Sequence, residues 1–428
     1  MTLTVFILIM LVLFFIGVPV AFAIIFSAFL YMVFATDASP VILAQRLVGA
    51  IEPVSLQAVV FFIAAGVLMN YTGITRRLMN FADVLTGRLP GGLGHVNVIL
   101  ATLMGGISGS STADAAMQAK MVVPEMTKKG YSLSFSTVVT AASAQITPII
   151  PPGIALILYA FIANVSIGKM FLAGVIPGLM MAVALMITIH IIAKRKGYLP
   201  SREKRASLKE ILVASRPALW CFLIPAIIIA GVRSGAFTPT EIGAVLVTLA
   251  LLIGIVFYRE MKLKDILASL RETFVTSATV LVIIAAASGL GWVLVWERVP
   301  QTAAEFITSI FTTPVSFLIF VNIFLLILGM FLEGTVVLIV LTPLFMPIVT
   351  QLGIDPVHFG LVMILNLSIG TITPPFGTIM FLTCSVTGCR FSDFVKAAWP
   401  FILALVVVLV LVTFIPPLAT WLPNLVIR

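Results

Sequence analysis

The side chains able to do chemistry lie in two short polar clusters inside otherwise apolar sequence. The first runs Gly105-Gly-Ile-Ser-Gly-Ser-Ser-Thr-Ala-Asp114 and the second Ile146-Thr-Pro-Ile-Ile-Pro-Pro-Gly153. Helix cannot run through such stretches, and backbone that leaves the helix at membrane depth is tolerated only where protein buries it or where it lines a polar cavity. Carbonyls released there, beside Ser and Thr hydroxyls, offer oxygen ligands alone. That donor set suits a hard cation, and in a membrane transporter the expected ion is Na+. The expected ligands at the first site are Ser108, Gly109, Ser110 and Thr147, with the carbonyls near Ile150 and Pro152. Ser110, Ser111, Asp114 and Gly153 are the candidates for substrate contact. An acid inside the membrane is costly and usually functional. Asp114 follows Ser110 by one helical turn, where it meets substrate or cation, or caps the limb through its free amides. The histidines His95, His190 and His358 are scattered beside polar connections, and Cys221, Cys384 and Cys389 match no metal spacing, so no transition-metal site is expected.

The elements that position these clusters follow from composition. Hydrophobic residues make up 61% of the 428 and charged residues only 10%. Successive apolar runs exceed the roughly 20 residues that cross a bilayer, which describes an all-α polytopic membrane protein embedded in lipid. The first run, Leu3 to Tyr31, has no basic residue ahead of it and reads as an anchor, with Gly17-Val-Pro19 either kinking one helix or separating two. Asp37 to Pro53 reads as a mixed connection. The charge of +9 is gathered in a few connections, notably Lys194, Arg195, Lys196, Arg202, Lys204, Arg205 and Lys209, then Arg259, Lys262, Lys264 and Arg271. These are cytoplasmic orientation signals, and nucleic acid is excluded as a partner. Between Thr72 and Leu89, Leu78, Phe81, Ala82 and Leu85 fall on one helical face while Arg76, Arg77 and Asp83 face elsewhere, the pattern of an arm lying in the interface. Gly91 to Lys129 then forms a re-entrant hairpin broken at Ser108 to Ser111, and Tyr131 to Ile162 a crossing interrupted at Pro-Pro-Gly.

The chain repeats itself at an offset of 223 residues: Gly66 meets Gly289, Gly106 meets Gly329, Thr112 meets Thr335, Pro124 meets Pro347, and Pro151-Pro152 meet Pro374-Pro375. The second hairpin tip is therefore Phe331-Leu-Glu-Gly-Thr335, the second broken helix is Ile369-Gly-Thr-Ile-Thr-Pro-Pro-Phe-Gly377, and Ala303, Phe306, Ile307 and Ile310 form a second arm. Gly334, Thr335, Thr371 and Thr373 are the expected ligands of a second Na+ site, while Glu333 is expected to reach solvent. An odd number of crossings separates the copies, so the second is inverted. Charge agrees: the first arm carries Arg76, Arg77 and Arg88, the second only Arg298 beside Glu297 and Glu305. Inverted repeats with discontinuous helices are the architecture of secondary transporters.

The Gly-Gly-Ile-Ser-Gly-Ser-Ser-Thr-Ala-Asp run, the Ile-Thr-Pro-Ile-Ile-Pro-Pro-Gly run and its second copy Thr-Ile-Thr-Pro-Pro-Phe-Gly closely resemble the large membrane subunit of TRAP transporters, over essentially the whole chain. The resemblance implies Na+-driven uptake of an organic acid, of the sialic-acid or C4-dicarboxylate class, by an elevator motion in the bacterial cytoplasmic membrane. It also implies a small four-helix membrane subunit and an extracytoplasmic substrate-binding protein as partners. The domains expected are 1–72, mainly scaffold; 73–168, the first repeat core; 169–296, scaffold with basic loops; 297–390, the second repeat core; and 391–428, a C-terminal span. Two rivals stand beside this reading. One is a self-sufficient Na+-coupled carboxylate transporter. The other is a rhomboid-like serine protease, suggested by Gly106-Ile-Ser108-Gly109, which lacks a histidine base well inside a span. No Walker-type phosphate loop supports a nucleotide-driven pump.

Overall fold

The computed structural model describes residues 3–202, 204–234 and 237–427, and every regular element among them is helical. Helices α1 (Leu3–Phe15) and α2 (Val20–Ala35) are separate: Gly17 takes φ +86° and Pro19 withholds an amide donor, so the N-terminal run is two helices. The segment read as a connection contains a helix, α3 (Val41–Gly49). Its nine residues carry too few turns to show a period, yet Leu43 and Leu47, one turn apart, close over Gly289.

Helix α4 (Gln57–Tyr71) meets α5 (Ile74–Thr86) at 73°, turning at Gly73, whose φ of +75° suits glycine. The arm buries Leu78, Phe81 and Ala82 as its pattern requires, while Leu85 is 46% exposed beyond that stripe. Arg77 anchors it, pairing with Glu260 at 2.6 Å and lying 4.0 Å over the Tyr258 ring. The hairpin follows as α6 (Gly92–Ser108) and α7 (Ser111–Lys128). The broken helix is α8 (Leu133–Ser143), a tighter turn at Ala144–Ile146, non-helical backbone over 147–153, and α9 (Ile154–Ile162). Four long helices come next: α10 (Ile167–Lys196), α11 (Leu208–Ser234), α12 (Pro239–Leu252), continued by a wider turn to Phe257, and α13 (Leu263–Trp296). The second copy comprises arm α14 (Val299–Ile310), hairpin α15 (Pro314–Phe331) and α16 (Gly334–Gln351), and broken pair α17 (Pro356–Gly370) and α18 (Thr378–Thr387). Helices α19 (Phe391–Phe414) and α20 (Pro417–Val426) end the chain, so the last segment holds two helices.

The repeat is expressed in the helix boundaries. Starts at Ser111 and Gly334, and at Leu133 and Pro356, are each 223 residues apart, and the Pro151-Pro152 and Pro374-Pro375 peptide bonds are both cis. Among the described residues, six helices are each long and apolar enough to span a bilayer. Counting α4, the pair α8 and α9, α10, α11 and α12 as crossings makes α13 antiparallel to α4, and the second copy inverted. The second arm differs from the first in exposure: Phe306 is 66% and Ile310 55% exposed, whereas Ile307 is half-buried. The side chains of Ala303 and Cys221 lie outside the described residues. Cys384 and Cys389 are buried free thiols, and His95 and His358 are buried as well. Labelling checks the inversion: Arg77→Cys and Gln301→Cys should react with impermeant maleimide from opposite sides of the membrane, and reaction of both from one side would overturn it.

Candidate ion and substrate site

The first hairpin tip is formed by Gly109 at φ +62°, which ends α6, and by Ser110, whose hydroxyl accepts from Ala113 N at 3.4 Å and caps α7. This tip docks on the first break. Ile154 N donates to Gly109 O at 3.4 Å, and a methyl on Gly109 would stand 2.7 Å from Pro152 O, so only glycine permits the approach. One turn earlier Gly105 lies against Thr147 and Ile150. From behind, Gly66 of α4 meets the Ile107 and Ser108 carbonyls, and Gly174 of α10 faces the Ile149 carbonyl, where a methyl would come within 2.0 Å. Ser108, Gly109, Ser110, Thr147, Ile150 and Pro152 are thus gathered at one junction. Asp114 belongs to it: fully buried, its Oδ2 accepts from Thr147 Oγ1 at 2.7 Å.

The second tip repeats the plan with different chemistry. Glu333, equivalent to Ser110, accepts from Val336 N at 3.0 Å and caps α16. Gly329 and Gly370 let α15 and α17 cross in close contact. In the second break, Ile379 N donates to Thr371 O at 3.0 Å, and Thr373 Oγ1 turns back to donate to Ile369 O at 2.7 Å. Thr371 Oγ1 lies 3.0 Å from Gln145 Oε1, a hydrogen bond that joins the two breaks and hence the two copies.

Both copies open on one small cavity of about 60 Å³, lined by Ser111, Thr112 and Pro148 from the first and Glu333, Gly334, Thr335, Ser368 and Thr371 from the second. Of the residues expected at substrate, Ser111 lines it, whereas Ser110, Gly153 and Asp114 stand behind it at the tip junction. Of those expected at the second ion, Gly334, Thr335 and Thr371 line it and Thr373 does not. Glu333 is exposed, as expected, and also borders the cavity while holding its cap. Gln145, Thr112 and Ser368 escaped the sequence reading. Two signals were available: Thr112 is the repeat equivalent of Thr335, and Gln145 is an amide two residues ahead of Thr147 in apolar surroundings.

Residues 7–418 match the family model described as "Tripartite ATP-independent periplasmic transporter, DctM component". The chain belongs to the DctM family. Among its relatives, the sialic acid TRAP transporter large permease protein SiaM of Vibrio cholerae serotype O1 is 38% identical over 413 residues, covering 96% of each chain. The C4-dicarboxylate TRAP transporter large permease protein DctM of Pseudomonas aeruginosa is 38% identical over 382 residues, covering 89% of each. A solved structure of Neisseria gonorrhoeae MtrF shares the fold, with a TM-score of 0.59 at 12% identity over 87% of this chain and 83% of that one. These relatives are transporter permeases, so this DctM-family chain is a transporter component and not an enzyme, and the protease reading falls. It is a multi-pass protein of the cytoplasmic membrane and, as part of a tripartite system, works with other components.

Proposed function

We propose that the chain carries an organic acid of the sialic-acid or C4-dicarboxylate class into the cell with Na+, by an elevator motion. The observation that carries this reading is the convergence of both tips and both breaks on one cavity whose lining, among the described residues, includes no basic side chain. An organic anion held there, near the Glu333 carboxylate, needs its charge offset, and cations bound at the adjoining oxygen clusters offset it. In this reading, Ser108, Gly109, Ser110, Thr147 and the carbonyls near Ile150 and Pro152, with Asp114, hold one Na+. Gly334, Thr335, Thr371 and Thr373 hold a second, and Ser111 meets the substrate. Residues 73–168 and 297–390 move as the carrier against a scaffold of 1–72 and 169–296, with 391–428 as the C-terminal helices. A small four-helix subunit braces the scaffold, and an extracytoplasmic binding protein delivers the acid.

The experiment is uptake into proteoliposomes containing this chain and the small subunit, with binding protein outside, screened over organic acids with and without Na+. Uptake indifferent to Na+ would refute the coupling, and uptake by this chain alone would favour a self-sufficient carrier. Within that assay, Ser108→Ala should raise the Na+ concentration for half-activation roughly fivefold, the worth of about 1 kcal/mol for one oxygen ligand. An unchanged Na+ curve would remove Ser108 from the site.

A further inference from the structure

At about 60 Å³ in this conformation, the tip cavity is smaller than the roughly 300–1,000 Å³ of sites for small molecules, so an incoming acid needs a place to stand before it opens. A crevice of about 430 Å³ lies close by. It opens between α3 and α13 on one side and α9 and α16 on the other, with Arg46, Ser288, Trp292, Ile162 and Pro343 in its lining. Ala155 and Leu338, which line the tip cavity, belong to the same helices as Ile162 and Pro343. About two turns of α9, roughly 10 Å, separate Ala155 from Ile162.

The crevice is on the outer side. Helix α13 starts at the cytoplasmic connection that holds Arg259 and Lys262, and Ser288 and Trp292 lie near its far end. Helix α9 ends the crossing that begins beside Lys128 and Lys129, and α3 is held here by Leu43 and Leu47 over Gly289. Trp292 stacks on Trp296 with ring centroids 5.1 Å apart, and indoles of this kind mark the level where lipid meets water.

Cations collect on cytoplasmic connections, which makes Arg46 out of place. It is exposed and forms no ion pair among the described residues, while Glu297, an acid at this end of α13, is bonded to Tyr31 OH. Its place in the last turn of α3 complements the helix dipole, a role that lysine would fill equally well. The Ser288 hydroxyl and Trp292 N–H likewise have no acceptor among the described residues. Three donors, one of them cationic, in a largely apolar crevice of ligand size match a carboxylate flanked by further oxygen acceptors. Two other crevices fit an acid worse. In one of about 540 Å³ between α2 and α13 the charged lining residue is Glu333, and in one of about 370 Å³ on the cytoplasmic side Arg202 already pairs with Glu210 at 3.4 Å.

We propose that this crevice is an outer waiting site for the transported acid, where Arg46 holds a carboxylate beside Ser288 and Trp292. That the occupant is the transported acid rests on the function proposed above; a carboxylate site at Arg46 does not. Because the guanidinium is exposed, its hold is weak enough for the acid to move on to the tip cavity, where no basic side chain competes with the cations.

Gly291 lines the same crevice and has nothing within 4 Å of an added methyl, so Gly291→Cys places a thiol in its open space. In the purified full-length protein, held in phosphatidylcholine nanodiscs, an impermeant maleimide should label this cysteine above the background of the unsubstituted chain. N-acetylneuraminate or succinate, each added as free acid, should slow the labelling saturably. Leaving out the binding protein prevents a contact between it and Arg46 from giving the same result. Arg46→Gln should raise the acid concentration for half-protection at least tenfold, equivalent to about 1.4 kcal/mol, and Arg46→Lys should recover only part of the loss, since lysine lacks the planar fork. Val295→Cys, on the same wall, serves should Gly291→Cys not fold. Absence of labelling at both positions, labelling that neither acid slows, or equal protection in Arg46→Gln overturns the site. Slowing by phosphatidylglycerol in the disc but by neither acid would make it a lipid site and overturns it as well. Na+ activation of uptake judges the proposed function separately: protection beside uptake indifferent to Na+ keeps the site and refutes the coupling.

Discussion

Asp114→Asn is expected to raise the Na+ concentration needed for half-maximal uptake by two to three orders of magnitude while leaving the protein folded. The side chain is fully buried beside the Thr147 and Ser108 hydroxyls, which are neutral and carry no counter-charge, so in this reading a bound cation supplies it. Unit charges about 4 Å apart at an effective dielectric of 20 attract by about 4 kcal/mol, close to a thousandfold in affinity. Asparagine keeps the shape and still accepts from Thr147, which separates charge from packing. Because Asp114 stands behind the cavity rather than in its lining, the same variant should leave the rank order of transported acids unchanged. A uniform fall in uptake with an unaltered Na+ curve would show that Asp114 serves the tip's packing alone.

The second large effect is steric. Gly174→Ala should lower the thermal midpoint and abolish most uptake, whereas Gly291→Ala should raise the midpoint. Both glycines sit inside helices, where alanine is favoured by about 1 kcal/mol. Around Gly291 nothing lies within 4 Å of the added methyl, but at Gly174 it would stand 2.0 Å from the Ile149 carbonyl oxygen. That oxygen is backbone of the first break, so it cannot rotate aside, and overpacking of this kind costs about 1–3 kcal/mol or more. Midpoints that shift upward in both variants would mean that α10 does not press on the break.

Most of the architecture was legible because its determinants are local. Gly109, Gly153 and the paired prolines mark where helix must stop, and the 223-residue spacing recurs without gaps, so the second tip and break could be placed from the first. Arm α5 declared itself through Leu78, Phe81 and Ala82. What could not be read depends on contacts across long sequence distances. The bond between Gln145 and Thr371 joins residues 226 apart and follows from how the two copies interlock, which no periodicity records. Asp114 was found by its type, but its direction toward Thr147 is set by the seating of Gly109 on Pro152. Helix α3 was lost for a different reason, its brevity within a mixed segment.

Helix α2 has a mechanical consequence for its surroundings. Its 16 residues from Val20 to Ala35 extend about 24 Å, against about 30 Å for the hydrocarbon core of a bilayer. Phe22, Phe26, Phe29 and Phe34 project outward from it, so it meets lipid along its length. Acyl chains beside so short a helix must compress, at a fraction of a kcal/mol for each ångström of mismatch. Lipid on this flank is therefore held thinner than the membrane around it, and lengthening the acyl chains of the host bilayer strains the protein from that edge first.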